Sequence, residues 1–135
     1  MRFYAYNPLA GGMLTGKHMS FDEQPQQGRF ARLQSYRKRY WKKTYFEAVN
    51  MVTAKCREYN IEPVEAAYRW LVNNSLLDGR EGDGLIVGAS SMIQLEQNMS
   101  TLQKGSLPQP VIDVLDIAWS EAKVESPEYF EFFKK

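Results

Sequence analysis

Leu85-Ile86-Val87-Gly88-Ala89-Ser90-Ser91 runs straight into Met92-Ile93-Gln94-Leu95-Glu96-Gln97-Asn98, and this junction constrains the chain more than any other stretch. It reads as a buried strand that ends on a glycine turn and gives way at once to a capped helix. The first N–H groups of a helix have no internal partner and sit at the positive end of the helix dipole, so a phosphate is the natural guest of such a junction. Ser91 as N-cap with Gln94 three residues on predicts a capping box, and Leu95, Met99 and Leu102 set an apolar stripe on one helix face.

A second junction stands at the other end of the chain. Phe3-Tyr4-Ala5-Tyr6 alternates like a strand and breaks into Asn7-Pro8-Leu9-Ala10-Gly11-Gly12, where two glycines let backbone approach a ligand closely. Between and beyond the junctions the pattern predicts a strand over 3–6, an irregular stretch from Pro8 to about Trp41 and a helix from about Lys42 to Tyr59. A helix over Pro63 to Asn73, a strand over 84–87 and helices over 91–103 and 108–125 follow. The first long helix carries Tyr45, Val49, Val52, Cys56 and Tyr59 on one face, and the next carries Val64, Ala67, Tyr68 and Leu71 behind Pro63 at its first position. Val111, Val114, Leu115, Ala118 and Ala122 form the stripe of the last. Two parallel strands joined by a long helical crossover make an α/β chain.

The 135 residues are enough for one domain with a real core, and 44% hydrophobic with 24% charged residues is an ordinary globular balance. A net charge of +1 steers toward no class of partner, and a single cysteine cannot form an internal disulfide. No run approaches the roughly 18 apolar residues of a membrane span, and no secretory pattern opens the chain, so the expected compartment is the reducing cytoplasm.

Arg2-Phe3-Tyr4-Ala5-Tyr6-Asn7-Pro8-Leu9-Ala10-Gly11-Gly12-Met13-Leu14-Thr15-Gly16-Lys17 and Ile86-Val87-Gly88-Ala89-Ser90-Ser91 with Gln94-Leu95-Glu96-Gln97-Asn98 resemble the last two strand–loop segments of an aldo-keto reductase of the aflatoxin-aldehyde reductase type. Gly28-Arg29-Phe30, Tyr36-Arg37-Lys38-Arg39-Tyr40-Trp41, Ala66-Ala67-Tyr68-Arg69-Trp70 and Tyr129-Phe130 extend the resemblance over nearly the whole chain. It implies part of a TIM (β/α)8 barrel, the last two strand–helix units with the C-terminal helices, in which the loops after strands seven and eight hold a phosphate.

Carried over to these positions, the resemblance implies an NADP(H) site. Tyr6, Asn7, Pro8, Leu9, Ala10, Gly11, Gly12, Met13, Leu14, Thr15 and Gly16 would form the loop along the nicotinamide and pyrophosphate, with Arg29 as a cofactor-side arginine. Ser90, Ser91, Gln94, Gln97 and Asn98 would cradle the adenosine phosphate, Asn98 facing the adenine. Many relatives use a basic residue in that last segment to meet the 2′-phosphate, whereas Gln94 and Gln97 stand here, as this subgroup tends to have. Tyr36 and Arg39 match substrate-contacting positions, and a bidentate arginine suits an acidic or dicarbonyl aldehyde. One departure concerns substrate class: the subgroup tends to carry an arginine just after its final Tyr-Phe, and Glu131 follows Phe130 here.

The resemblance implies that the catalytic tyrosine and its aspartate, lysine and histidine partners come from the first half of the barrel. No residue of this chain is assigned a catalytic role, no metal is expected, and the 135 residues are expected to be inactive alone. Two parallel strands cannot make a stable sheet without neighbours, and open edges invite pairing. Three readings follow: a fragment of a longer reading frame, a degenerate chain unstable alone, or a half that assembles with another barrel as a homo-oligomer or beside a full-length reductase. The functional counterpart of the last is a non-catalytic interaction protein.

The strongest rival feature is the charge run. Arg29, Arg32, Arg37, Lys38, Arg39, Lys42 and Lys43 are interleaved with Phe30, Tyr36, Tyr40 and Trp41, and no acidic residue lies between Gln24 and Phe46. Such composition over 29–43 suits single-stranded nucleic acid, where arginines neutralise phosphates and aromatics stack on bases. The reductase reading is preferred because nucleic-acid binding leaves the flanking motifs unexplained. His18 reads as a surface loop residue, Cys56 as buried packing, and Trp70 and Trp119 as helix-to-barrel packing. Glu121, Glu125, Glu128 and Glu131 form a loose acidic tail without converging ligands.

Overall fold

Alternation at the start of the chain yields a short strand, β1 (Tyr4–Ala5), and the second apolar run yields β2 (Gly84–Leu85), in a computed structural model that describes residues 1–127. The two pair in parallel, Tyr4 opposite Gly84 and Ala5 opposite Leu85. Gly84 N donates to Phe3 O at 2.9 Å and Ile86 N to Ala5 O at 2.8 Å. Asp83 fastens the lower end of the pair: its carboxylate accepts from Phe3 N at 2.8 Å and Asp78 N at 3.1 Å, bonds that hold its pKa below the usual value. Parallel pairing requires a crossover, and nearly all the helices between the strands supply it.

The stretch read as irregular is the main departure. It contains a pair of 3₁₀ turns over Ala10–Thr15, kinked at Gly11 and Gly12, and two short helices, α1 (Arg29–Arg32) and α2 (Gln34–Tyr40). Only Phe30 is buried in those two helices, so no apolar repeat advertised them. The four expected helices follow as α3 (Lys43–Glu58), α4 (Pro63–Asn73), α5 (Met92–Leu102) and α6 (Gln109–Ala122), the last continued by a 3₁₀ turn over Lys123–Glu125.

Helix α3 presents two buried surfaces. Ala48, Val52 and Cys56 meet Ala66 of α4 and Val111, Val114 and Ala118 of α6, with Leu107 closing one core. Phe46 and Val49, nearer the start of the helix, pack instead with Met13, Phe30 and Trp41. The expected stripe is therefore correct at Val49, Val52 and Cys56, but Phe46 and Ala48 are also buried, and Tyr59, just past the end of the helix, is exposed. In α6, Val111, Val114 and Ala118 are buried as expected, while Trp119 is 54% exposed and does not pack as its helix position suggested. In α4, Ala67 and Tyr68 are buried.

The run from Leu85 to Val87 is not the buried strand its composition predicts, since Ile86 is 54% exposed. The physical reason is the sheet itself: among the described residues it has two strands, and each leaves one edge unpaired. Phe3, Tyr4 and Tyr6 are likewise exposed beside it.

Candidate functional site

Both strand-end loops are built by side chains spent on backbone. Asn7 adopts a left-handed backbone with φ of 61°, which asparagine tolerates better than most residues. Its carbonyl oxygen accepts from Gly11 N at 3.1 Å, and its amide donates to Tyr40 Oη at 2.5 Å. Thr15 Oγ1 donates to Gly12 O at 2.7 Å and closes the turn. Gly11, with φ of +71°, lies where a Cβ would stand 3.0 Å from the rings of both Tyr36 and Tyr40, so α2 is packed directly onto the loop. Gly12 has nothing within 4 Å of the corresponding position and opens onto space.

Across from it, Ser91 caps α5 as expected, its hydroxyl accepting from Gln94 N at 3.2 Å. The second half of the capping box differs. Gln94 reaches one residue further back and accepts from Ser90 N at 3.0 Å and Ser90 Oγ at 2.8 Å. Asn98 is the buried polar residue of α5, and its amide reaches Gly88 O at 3.4 Å, tying the loop to the helix.

The two loops meet at one cleft of about 510 Å³. Of the expected cofactor residues, Tyr6, Asn7, Pro8, Leu9, Gly11, Gly12, Thr15, Arg29, Ser90 and Gln94 line it, as does Tyr36 of the expected substrate pair. Ala10, Met13, Leu14, Gly16, Ser91, Gln97 and Asn98 do not line it. Met13 is wholly buried in the aromatic core, with Ala10 and Leu14 packed against that core, so these three residues anchor the loop from behind. Ser91 and Asn98 hold the second loop from behind. Arg39 is not a lining residue either: it donates to Tyr6 Oη at 2.8 Å and lies over the Tyr40 ring, bracing Tyr6, which does line the cleft.

Lys17, His18, Phe30 and Tyr68 line the cleft without having been expected to. His18 is half-buried rather than freely exposed. Its ring stands edge-on to Phe30 at 5.3 Å and Trp41 at 5.2 Å, and burial, with Lys17 adding to it against Glu23, lowers its pKa. No sequence spacing announced this contact, because Phe30 and Trp41 arrive from elements the apolar periodicity missed. Lys17 and Arg29 bring two cations to the cleft, and among the described residues no carboxylate lines it.

Several cations of the charge run stack on neighbouring rings. Arg29 lies over Tyr36, Arg37 over Trp41 and Lys42 over Tyr45 at 5.4–5.8 Å, while Phe30 and Trp41 are core residues with 3% and 8% exposure. Aromatics turned inward in this way have no face to offer a base. The Tyr129-Phe130-Glu131 segment, with Glu128, lies outside the described residues. No helix among the described residues is long and apolar enough to cross a membrane.

Comparison with known proteins places this geometry among relatives. The aldo/keto reductase family model matches residues 1–120. The chain is 42% identical to aflatoxin B1 aldehyde reductase member 2 of Mus musculus, over 96% of this chain and 38% of the relative. Identity is also 42% to the Homo sapiens protein of that description, over 96% of this chain and 39% of the relative. It is 40% to aldo-keto reductase family 7 member A3 of Homo sapiens, over 96% and 42%. The chain thus spans about two fifths of the length of these curated relatives.

Proposed function

Because the chain belongs to the aldo/keto reductase family, we propose that its cleft is the cofactor-holding part of an NADP(H)-dependent carbonyl reductase. One observation carries the reading: the loops after both strands converge on a single cleft that has, among the described residues, two cations, an open glycine and no carboxylate. A phosphorylated dinucleotide brings several negative charges, and a lining without acids favours it by Coulomb attraction and by leaving no like charge to desolvate.

The residues present fit that cofactor. Lys17 and Arg29 would meet phosphate oxygens, and Gly12 leaves room for close backbone approach. Ser90 and Gln94, locked to each other, would present the start of α5 to an anion. Tyr6, held by Arg39, and Tyr36, packed over Gly11, offer flat rings along the cleft wall for an aromatic or carbonyl-bearing ligand. When bound, the nicotinamide supplies a hydride for delivery to a carbonyl carbon. The chain's own task is to fix the cofactor's position, since correct placement accounts for a large part of such a barrier.

The relatives that are aflatoxin B1 aldehyde reductases make aldehydes the proposed substrate class, and the proton donor is assigned to a residue outside these 135. The chain alone is therefore proposed to bind cofactor without turning over an aldehyde. Titration with NADPH, followed by calorimetry or nucleotide fluorescence, tests the reading. Binding that weakens as salt rises and on Arg29→Ala is the expected result, and no binding at low salt refutes it.

The exposed strand edges favour a second reading of how the chain works in its cell. Phe3, Tyr4, Tyr6 and Ile86 are each more than half exposed around a two-stranded parallel sheet, a state such sheets avoid. They support pairing with further strands, either from a longer version of this chain or from another reductase. Chromatography with light scattering distinguishes a lone 15.6 kDa species from an assembly.

A further inference from the structure

Tyr68 of α4 is the largest fully buried side chain among the described residues, with 0% exposure. It lines the cleft, and its hydroxyl has no hydrogen-bond partner. Two other buried polar side-chain atoms lack partners, Thr53 Oγ1 and Trp70 Nε1, and neither residue lines the cleft.

An orphaned buried hydroxyl is costly, whereas a phenylalanine in the same place would fill the same space with nothing left unsatisfied. No described residue accepts from it or donates to it. Burial also pushes the phenol's pKa up, so the group remains neutral and able to donate. A partner for it therefore has to come from outside the described residues. Helix α4 packs against the Ala10–Thr15 turns, beside the glycines where backbone can approach a ligand most closely.

We propose that the Tyr68 hydroxyl is a ligand contact: it donates a hydrogen bond to an oxygen of the phosphorylated ligand bound in this cleft, and so contributes to affinity from beneath the glycine turn. The inference rests on the cofactor reading of the cleft. It predicts an unusual pairing of effects, because a group that stabilised only the fold would be missed by the empty protein and not by the ligand.

The test is Tyr68→Phe, which keeps the ring and removes only the hydroxyl, measured by thermal unfolding without ligand and by NADPH titration. The expected result is an unchanged or raised melting temperature for the empty chain together with NADPH affinity weakened by about tenfold, the effect of one hydrogen bond to a charged acceptor. Equal NADPH affinity in the two proteins overturns the inference while leaving the cofactor reading intact. A lowered melting temperature in the empty variant overturns it as well, since the hydroxyl would then have a partner within the chain. Failure of the unmodified chain to bind NADPH removes the cofactor reading, and this inference with it.

Discussion

Gly11→Ala and Gly16→Ala form a matched pair that measures how firmly α2 clamps the first loop. The two glycines share nearly the same left-handed backbone, φ and ψ of 71° and 6° for Gly11 and 73° and 5° for Gly16. Each alanine therefore incurs a similar backbone penalty, about 1–2 kcal/mol, and each restricts the unfolded chain to a similar degree. What differs is the space. A Cβ at Gly16 meets nothing within 4 Å, whereas at Gly11 it stands 3.0 Å from Tyr36 Cδ1 and 3.0 Å from Tyr40 Cδ2. Neither ring can yield freely: Tyr40 is held through its hydroxyl by Asn7, and Tyr36 stacks at a tilt against Tyr40, centroids 5.8 Å apart. Forcing an added methyl into a packed site costs about 1–3 kcal/mol. Gly11→Ala should thus lose about 2–5 kcal/mol and Gly16→Ala only the backbone part, by the sum of the same two effects. Urea denaturation of both variants and the parent, with midpoints compared at constant slope, reads the difference directly. Equal losses at the two positions would refute the clamp and show the rings to be free to move aside.

Ser91→Ala removes the hydroxyl that accepts from Gln94 N and should cost about 1 kcal/mol of stability by urea denaturation; a neutral result would mean that α5 is capped by other means. Burial works to raise the pKa of Glu65, but hydrogen bonds from Lys104 at 2.5 Å and Arg69 at 2.8 Å outweigh it and leave the pKa below the ordinary carboxylate value. The folded chain therefore holds this proton less tightly than the unfolded one, so the contribution is full above the ordinary carboxylate range and is lost as pH falls through the lowered folded value. The stability gap between the parent and Glu65→Gln should accordingly shrink between pH 6 and pH values near 3, and a gap independent of pH would sink the assignment. Cys56 has 0% exposure, and burial, aided by Glu62 and Glu65, pushes its thiol up to about 11. A disulfide reagent at pH 8 should label it only when the chain unfolds, and rapid labelling of the native protein would contradict the packed core around α3.

The helices that the sequence makes legible are those with a long apolar face. Val49, Val52 and Cys56 on α3, Ala67 and Tyr68 on α4, and Val111, Val114 and Ala118 on α6 repeat at helical spacing and end in the core. Helices α1 and α2 escaped for the opposite reason. Their residues are arginines, lysines and tyrosines whose rings and alkyl stems pack on neighbours reached through space, such as Arg29 on Tyr36 and Tyr40 on Gly11. Periodicity detects a face only when the face is apolar.

The candidate site divides along the same line. Positions where backbone conformation demands a residue type, Asn7, Gly11 and Gly12 in one loop and the serine cap in the other, are local signals and stand where the motif put them. Whether a motif residue faces the cleft is settled by the fold. Met13 and Asn98 belong to the two motif segments, yet one is wholly buried in an aromatic core and the other is spent on Gly88 O. Tyr68 presents the reverse case. Its spacing marked it only as one more residue of a helix stripe, and Tyr68 is indeed buried; nothing short of the structure reveals that its hydroxyl is left unpaired. Sequence pattern reports which side chains leave water, and for an apolar residue that is nearly the whole account. For a tyrosine it leaves the polar atom to be traced, and here that atom ends without a partner among the described residues.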